Sequence, residues 1–506
     1  MFFLDFGSLW VLTYLLVGML NVIPSPGEKA ALSFALALGL KSLILFGWMV
    51  LGMEQNILVQ TGLSLVALIF VFFFRRKRAT NLILPSRFPE KKSSYFTVMV
   101  FILGALFFFS LANAIFFPIT ESDGIWYHIR GMVFLRDAEF DSQTIVSQFR
   151  QYPPFVPLLF AYLMSFDFDN VRIIFPFIYL CLLVIFYYRV YYYSNSGKIA
   201  AAFTLVLGTT PYFWWHSFLP FLDLTTGFYY SIGAMYWFFL IQNVFQREEF
   251  EGPESKICSL AFLSGSLFGL AAWSRLEFLL YNAIPLLILI YVLDRNRVLS
   301  KKRKKKILLC LAIPLLVFSS LWFATLLNFD SSLERRVQAV GLVCVGMWSL
   351  VLLFLKWDFH LKRARLVGMG ASAIVLYIAL MVTGGPQSVS LGKALMITLF
   401  RSISVHAFYL CTLFLGIFLL REKLRKLSEP KKILGWLLVF YPVVHFLIFS
   451  YSEPKWIEIS TYFEALFVHP GQSINLSDTR GMIAFYPILI FFIAGLPLIK
   501  RGFKNE

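Results

Sequence analysis

Residues 56–78 read NILVQTGLSLVALIFVFFFRRKR, an apolar run that ends directly in four cations. The apolar part, residues 56–74, is long enough to cross the hydrocarbon core of a bilayer as one helix. Lys and Arg collect on the cytoplasmic side of membrane helices, so the four cations mark that side. This stretch therefore predicts a membrane helix and the side of the membrane on which it ends.

The same pattern of apolar runs and basic clusters repeats along the chain. Of the 506 residues, 59% are hydrophobic and 14% are charged, which is typical of a polytopic helical membrane protein. The net charge of +17 comes from short basic clusters between apolar runs, so it indicates topology and not binding to nucleic acid. We expect membrane spans at residues 8–24, 30–52, 56–74, 96–118, 171–190, 199–215, 222–242, 257–274, 277–293, 307–327, 337–356, 366–383, 403–420, 433–450 and 481–499. The predicted fold class is an all-α polytopic membrane protein, a bundle of about 13–15 transmembrane helices with further helices in its outer loops.

The basic clusters divide this topology into regions. With each cluster on the cytoplasmic side, the N-terminus lies outside and the C-terminus inside. The predicted regions are additional N-terminal spans (1–78), a basic cytoplasmic loop (79–95), a membrane core (96–293) with the outer loop 119–152, and a C-terminal region (294–506) with the outer loop 451–480.

One apolar segment does not fit as a span. Residues 153–166 (PPFVPLLFAYLMSF) are short, carry three prolines, and would place every later basic cluster on the wrong side if they crossed. A run of this length is more often interfacial or re-entrant. We expect a membrane-dipping helix on the outer face, packed beside the loop that precedes it.

That loop is the most polar part of the membrane core. Residues 121–152 read ESDGIWYHIRGMVFLRDAEFDSQTIVSQFRQY, and the carboxylates in it must face water or a cavity because burial in lipid would cost several kcal/mol. The same topology places other unusual polar residues on this outer side: Asp223, Arg275, Glu277, Lys455 and Arg480. The ionisable residues outside the basic clusters thus gather at one face.

These residue types can carry out a defined chemistry. A carboxylate such as Asp123 can take a proton from a hydroxyl group, and Arg275 can hold phosphate through its planar guanidinium. Lys455 and Arg480 can add positive charge beside a phosphate. The aromatic residues of the outer loops could offer stacking faces to a sugar: Trp126, Tyr127, Tyr152 and Trp456.

The order of these motifs resembles a known family. Glu121-Ser122-Asp123, Trp126-Tyr127-His128, Tyr152-Pro153-Pro154, Asp223 and Arg275 follow one another along the chain. This order is similar to that of GT-C glycosyltransferases that use polyprenyl-phosphate sugars, including the protein O-mannosyltransferases (glycosyltransferase family 39) and the aminoarabinose transferases. The resemblance covers about residues 96–293, and the first three spans are an addition to it.

The resemblance implies a function and a location. It implies a transferase in a bacterial-type inner membrane, with its active site on the periplasmic side. The donor would be a polyprenyl-phosphate-linked sugar, and the acceptor a cell-envelope glycan, lipid or protein. Asp123, Asp223 and Glu121 are then the candidate catalytic residues, and the candidate substrate-binding residues are Trp126, Tyr127, His128, Tyr152, Arg275, Glu277, Lys455 and Arg480.

The sequence departs from the family at the acidic motif. Many relatives have adjacent Asp and Glu, whereas Gly124 follows Asp123 here and the nearest second carboxylate is Glu121. Two carboxylates two positions apart could share a hard cation such as Mg²⁺ or Mn²⁺. Equally, Asp123 could act alone.

Each candidate residue also has a purely structural interpretation. Asp123 stands where a helix N-cap would stand, and Asp223 could cap the span that follows it. Residues two apart do not pair on a helix face, so Arg275 and Glu277 are each expected to find another partner. His128 fits a hydrogen-bonded loop residue as well as a ligand.

Two other functions fit the same composition. An O-antigen ligase or polymerase would depend on a long late outer loop with several arginines, whereas loop 451–480 is modest. A transporter or flippase of lipid-linked sugars would place ionisable residues near mid-span, where Lys41 and Arg401 are the candidates.

Overall fold

The computed structural model is helical wherever it describes the chain. It describes residues 1–53, 56–76, 94–137, 140, 151–246, 254–329, 335–356, 427–435, 437–438, 481–497 and 499, and no strand occurs among them. The helices, in chain order, are α1 Phe2–Leu20, α2 Pro26–Val50, α3 Ile57–Arg76, α4 Ser94–Phe116, α5 Ser122–Asp137, α6 Phe155–Met164, α7 Ile174–Ser194, α8 Gly197–Thr209, α9 Pro211–Trp215, α10 Leu222–Gln246, α11 Glu254–Ser274, α12 Phe278–Arg295, α13 Lys301–Phe329, α14 Arg335–Lys356 and α15 Tyr486–Ala494. The prediction of an all-α fold is confirmed.

Seven of the described helices are long and apolar enough to cross a membrane. They are Phe2–Leu20, Pro26–Val50, Ser94–Phe116, Val171–Ser194, Ser255–Ser274, Phe278–Arg295 and Lys301–Asn328. A multi-pass membrane protein is therefore confirmed. The predicted spans 366–383 and 403–420, and most of 433–450, lie outside the described residues, so the total of about 13–15 spans stays a prediction.

Two predicted spans are interrupted in the structure. The span predicted at 199–215 is helix α8 followed by the short helix α9, with Thr210 in an extended conformation between them. Pro211 explains the break, because proline disfavours helical geometry in the residue before it. The last span, predicted at 481–499, consists of a 3-10 helix, Gly481–Ala484, followed by α15.

Helix α10 lies at the centre of the described bundle. It packs against α7, α11, α12 and α15, and nearly all of its side chains from Leu222 to Val244 are buried. Helices α11 and α13 approach each other closely at Gly269, where an added Cβ would lie 2.7 Å from the carbonyl oxygen of Pro314. A helix that is apolar on all sides belongs inside a bundle and not at its lipid surface.

Helices α5 and α6 form a layer at one end of the bundle. Helix α6 has 10 residues, a length of about 15 Å, which is too short to cross a membrane. It packs against α5 as predicted, and all of its side chains from Phe155 to Leu163 are buried in protein. The two helices come closest at Gly131, where an added Cβ would lie 3.0 Å from the carbonyl oxygen of Pro157.

At this end of the bundle, contacts join the ends of helices that the predicted topology places on the same side of the membrane. Arg275 pairs with Asp223, and the Trp322 indole N–H donates to the carbonyl oxygen of Gln151 over 3.0 Å. We call this end of the bundle the carboxylate face, because it carries Asp123, Asp223 and Arg275.

The contacts at the opposite face agree with the same topology. Arg189 Nη2 donates to Glu28 Oε2 over 2.6 Å, and Lys431 Nζ donates to the carbonyl oxygen of Gly495 over 2.8 Å. These four contacts fit the predicted alternation of sides. The assignment of the carboxylate face to the periplasm stays a prediction.

Candidate active site

Asp123 lies in the first turn of α5. The helix begins at Ser122, and the carbonyl oxygen of Glu121 accepts the Ile125 N–H over 2.9 Å, so the capping position is Glu121. The prediction that Asp123 is the N-cap is therefore wrong by two residues. A carboxylate in a first turn is stabilised by the exposed backbone N–H groups and the helix dipole. Asp123 is half-buried.

Asp223 occupies the equivalent place in α10 and is paired. Helix α10 begins at Leu222, and Arg275 Nη1 lies 2.6 Å from Asp223 Oδ1. Both side chains are buried. The ion pair ties the first turn of α10 to the end of α11.

Arg275 and Glu277 pair with each other, contrary to the sequence expectation. Arg275 Nε lies 3.6 Å from Glu277 Oε2. The expectation applied the geometry of a helix face, whereas the two residues lie in the turn between Ser274, where α11 ends, and Phe278, where α12 begins. A turn can direct side chains two positions apart toward each other, which a helix face cannot.

Tyr127 connects α5 to this ion pair. Its side chain is 5% exposed and interacts electrostatically with Asp123, Tyr152, Arg275 and Asp223. Asp123 and Tyr127 are four positions apart on α5, so both side chains lie on one face of the helix. The structure thus brings together six residues predicted for the site: Asp123, Tyr127, Tyr152, Asp223, Arg275 and Glu277.

Gly124 makes the close approach of α5 possible. A Cβ at this position would overlap the ring of Pro220 and would lie 2.9 Å from Ile119 Cγ2. Pro220 belongs to the turn that leads into α10. The glycine that departs from the family motif therefore places the start of α5 directly against the start of α10.

The charges of the cluster determine two protonation states. Burial disfavours the charged form of Arg275, but Asp223 and Glu277 outweigh it, and the pKa of Arg275 is raised above its ordinary value. Burial, reinforced by Asp123, raises the pKa of Tyr127 well above its ordinary value. Arg275 is therefore a permanent cation, and Tyr127 is a neutral phenol that can donate a hydrogen bond.

Burial changes the expected role of one aromatic residue. Because Tyr127 is buried, its ring is less suited to stack against a sugar than the rings of Trp126 and Tyr152. Trp126 and Tyr152 are only half-buried. Stacking of a sugar against these two rings stays a prediction.

Glu121 lies close to a different cation. It interacts electrostatically with Arg172, whose guanidinium donates to the carbonyl oxygens of Asn113 and Phe117 at the end of α4. No group of three His, Cys, Asp or Glu side chains among the described residues could hold a metal ion. The sharing of a cation between Glu121 and Asp123 stays a prediction.

His128 points toward α6. Its ring packs against that of Phe160, with centroids 6.3 Å apart, and its Nδ1 has no hydrogen-bond partner among the described residues. Burial lowers the pKa of His128, and Asp169 partly opposes this shift. His128 is therefore part of the contact between α5 and α6.

Two residues that the sequence did not single out hold the loop before α6. Arg130 is fully buried, and its Nη1 donates to the carbonyl oxygen of Tyr152 over 2.7 Å. The indole of Trp322 holds the neighbouring carbonyl, that of Gln151. Arg130 lies three positions after Tyr127, on the same face of α5, and this spacing is the signal that could have identified it.

Lys455 and Arg480 lie outside the described residues. The segment that follows Arg480 is described, and it packs against α10. A Cβ at Gly227 would lie 3.2 Å from Ile483 Cγ2 and 3.3 Å from the Ala484 nitrogen. Gly227 lies about one helical turn after Asp223, so residues 483–484 lie close to the cluster.

Comparison of the chain with protein-family models, with curated proteins and with solved structures found no match. The resemblance to GT-C glycosyltransferases therefore depends on the order of the sequence motifs alone.

Proposed function

We propose that this chain is a membrane glycosyltransferase that moves a sugar from a polyprenyl-phosphate carrier to an acceptor hydroxyl at the carboxylate face. The acceptor would be a glycan, lipid or protein of the cell envelope. In the proposed reaction the acceptor oxygen attacks the anomeric carbon, and its proton passes to Asp123. The bond between the anomeric carbon and the phosphate oxygen breaks, and polyprenyl phosphate leaves with the electron pair.

The observation that carries the proposal is the convergence of three distant segments. The start of α5, the start of α10 and the turn after α11 contribute Asp123, Asp223 and Arg275 to one cluster. A protein that used these residues only as separate surface anchors would not need to bring them together. Buried ionisable residues in a membrane protein indicate a functional site.

Differences in burial support Asp123 as the base. Asp223 accepts a hydrogen bond from Arg275, and Glu277 also lies beside that guanidinium. Both carboxylates are buried, whereas Asp123 is half-buried at the start of α5. A general base must come within hydrogen-bond distance of the acceptor hydroxyl, and Asp123 is the most accessible of the three.

Because carboxylates already neutralise Arg275, we expect other cations to bind most of the phosphate charge. Two carboxyl groups, those of Asp223 and Glu277, flank the guanidinium of Arg275, and Asp123 acts with this cluster on Tyr127. In the proposal Arg275 holds the two buried carboxylates in place, and its contribution to phosphate binding is secondary. Lys455 and Arg480 would supply most of the positive charge that the departing phosphate requires.

The substrates can be identified from the products that accumulate in cells. Glycolipids and glycoproteins of the cell envelope are compared by mass spectrometry in cells that lack the gene, that carry it, and that carry Asp123→Asn. The expected result is a sugar modification that depends on the gene and is absent with the Asn variant at equal expression. Identical glycan profiles in all three strains would contradict the proposal.

The transporter alternative gains no support from Lys41. Its ammonium group lies 2.6 Å from Asp5 Oδ2, and both side chains are 1% exposed, so its charge is compensated within the protein. Arg401 lies outside the described residues. Movement of lipid-linked sugars across vesicle membranes, without sugar transfer, would favour the transporter over the enzyme.

A further inference from the structure

A buried polar network joins the first three helices to α6. Lys41 Nζ donates to Asp5 Oδ2 over 2.6 Å and to Gln60 Oε1 over 3.0 Å. Ser64 donates to Asp5 Oδ1 over 2.9 Å, and the Tyr162 hydroxyl donates to Asp5 Oδ2 over 2.7 Å. The ammonium group of Lys41 also lies 4.3 Å from the centre of the Tyr162 ring. The two opposite charges are thus compensated by each other and by several hydrogen bonds.

Tyr162 is the member of the network that comes from outside helices α1, α2 and α3. It belongs to α6, where its hydroxyl and its ring both contact the ion pair. Phe2 at the start of α1 packs against the same ring, with centroids 5.7 Å apart. The network therefore fixes the position of α6 relative to the N-terminal helices.

Helix α6 in turn supports the helix that carries Asp123. At Gly131 of α5, an added Cβ would lie 3.0 Å from both Phe160 Cβ and the Pro157 carbonyl oxygen, so the two backbones are in close contact. Close-packed protein interiors transmit small displacements. A shift of α6 would therefore move α5 and its first turn.

A second contact links the same N-terminal region to Arg275. The Trp273 indole N–H donates to Ser42 Oγ over 3.0 Å. Ser42 follows Lys41 in α2, and Trp273 lies two residues before Arg275. The N-terminal helices are thus linked to two of the three elements that meet in the carboxylate cluster: to the end of α11 directly, and to α5 through α6.

We propose that Asp5, Lys41 and Tyr162 are positioning residues for the carboxylate cluster, and that helices α1–α3 form the support of that site instead of a peripheral addition. For its catalytic consequence this inference rests on the proposed function. Its structural consequence, the coupling of the ion pair to α5 through α6, is independent of any activity.

The test removes one hydroxyl group and measures hydrogen exchange. Tyr162→Phe keeps the ring and deletes the hydrogen bond to Asp5. Tyr179→Phe is the matched control, because the Tyr179 hydroxyl is also buried and donates over 2.7 Å to a carbonyl oxygen, that of Gly208. Amide exchange of the full-length protein in lipid nanodiscs is followed by mass spectrometry.

The expected change in hydrogen exchange is confined to helices α5 and α6. Exchange in residues 122–137 and 155–164 becomes at least about threefold faster in Tyr162→Phe, since local opening follows the loss of contacts. Exchange in α10 stays unchanged, and Tyr179→Phe leaves 122–137 and 155–164 as in the wild type. Unchanged exchange in both helices of Tyr162→Phe would overturn the proposal, whatever the activity.

Sugar transfer by the same variants supplies the catalytic comparison. Tyr162→Phe is expected to lower kcat about tenfold with little change in the KM for the donor, because a base that is misplaced by a fraction of an ångström still allows binding. A general loss of stability would instead lower the amount of active enzyme and speed up exchange throughout the chain. A wild-type protein without transfer activity would contradict the proposed function, while the exchange measurement would still decide the coupling.

Discussion

At the scale of single residues, environment separates carboxylates that the sequence alone treats alike. Asp123 and Asp223 both lie in first turns of helices, yet Asp223 is buried against Arg275 and Asp123 is half-buried. Glu121 and Asp123 are two positions apart, yet Glu121 lies near Arg172 at the end of α4. The sequence could predict which residues share a face of the membrane, but it could not predict which of them form pairs.

Arg275 should be essential for stability as well as for the site. In Arg275→Gln, Asp223 and Glu277 stay buried without their cation, which is expected to destabilise the fold by about 3–5 kcal/mol. Thermal unfolding of the protein in detergent measures this loss. The double variant Arg275→Gln with Asp223→Asn should recover part of it, because one of the stranded charges is removed with the cation.

The control for Arg275 is an exposed ion pair on α5. Arg136 and Asp137 form a pair at the surface, with Arg136 largely exposed to its surroundings. Arg136→Gln is expected to leave the melting temperature unchanged, because surface pairs contribute little to stability. Equal effects of the two substitutions would contradict a special role for the buried pair.

His128 should make the protein sensitive to acid. Burial lowers the pKa of His128 in the folded state below the value of 6.5 that it has when unfolded. Protonation therefore favours unfolding, so this contribution to stability is present above pH 6.5 and is lost as the pH falls below it. The melting temperature of wild type should fall more steeply from pH 7 to pH 5 than that of His128→Gln, and parallel curves would contradict the prediction.

At the scale of elements, glycine and proline determine where helices break and how closely they approach each other, which hydrophobic periodicity does not predict. The apolar runs predicted most of the described helices, but Pro211 divides one predicted span into α8 and α9. Gly124 and Gly131 allow α5 to approach Pro220 and α6. Periodicity shows which face of a helix is buried, whereas the choice of neighbour depends on shape at such positions.

Gly124 provides a test of the contact between α5 and α10. In Gly124→Ala the new Cβ collides with the ring of Pro220, so the first turn of α5 and Asp123 must move. The expected result is a fall in transfer rate of about tenfold or more. Gly104→Ala is the matched control in α4, since nothing lies within 4 Å of an added Cβ there, and it is expected to keep full activity.

At the scale of the whole molecule, the topology derived from basic clusters agrees with the packing of the described helices. Pairs that the topology places on one side are in contact, such as Asp223 with Arg275 at one face and Glu28 with Arg189 at the other. These contacts fit the sides that the charge bias of the loops predicts, and the sides themselves stay a prediction. The support that helices α1–α3 give to the site could not be predicted, because Asp5 and Lys41 are far apart in sequence and each looks isolated in an apolar run.

The most direct test of the central claim is sugar transfer by the purified protein in vesicles that contain the polyprenyl-phosphate sugar identified from cells. Wild type, Asp123→Asn and Asp137→Asn are compared at equal amounts, and the last is a matched control on the same helix, α5. If Asp123 is the general base, its Asn variant should lose at least about a hundredfold in kcat while Asp137→Asn stays near the wild-type rate. Wild-type turnover by Asp123→Asn would contradict the account.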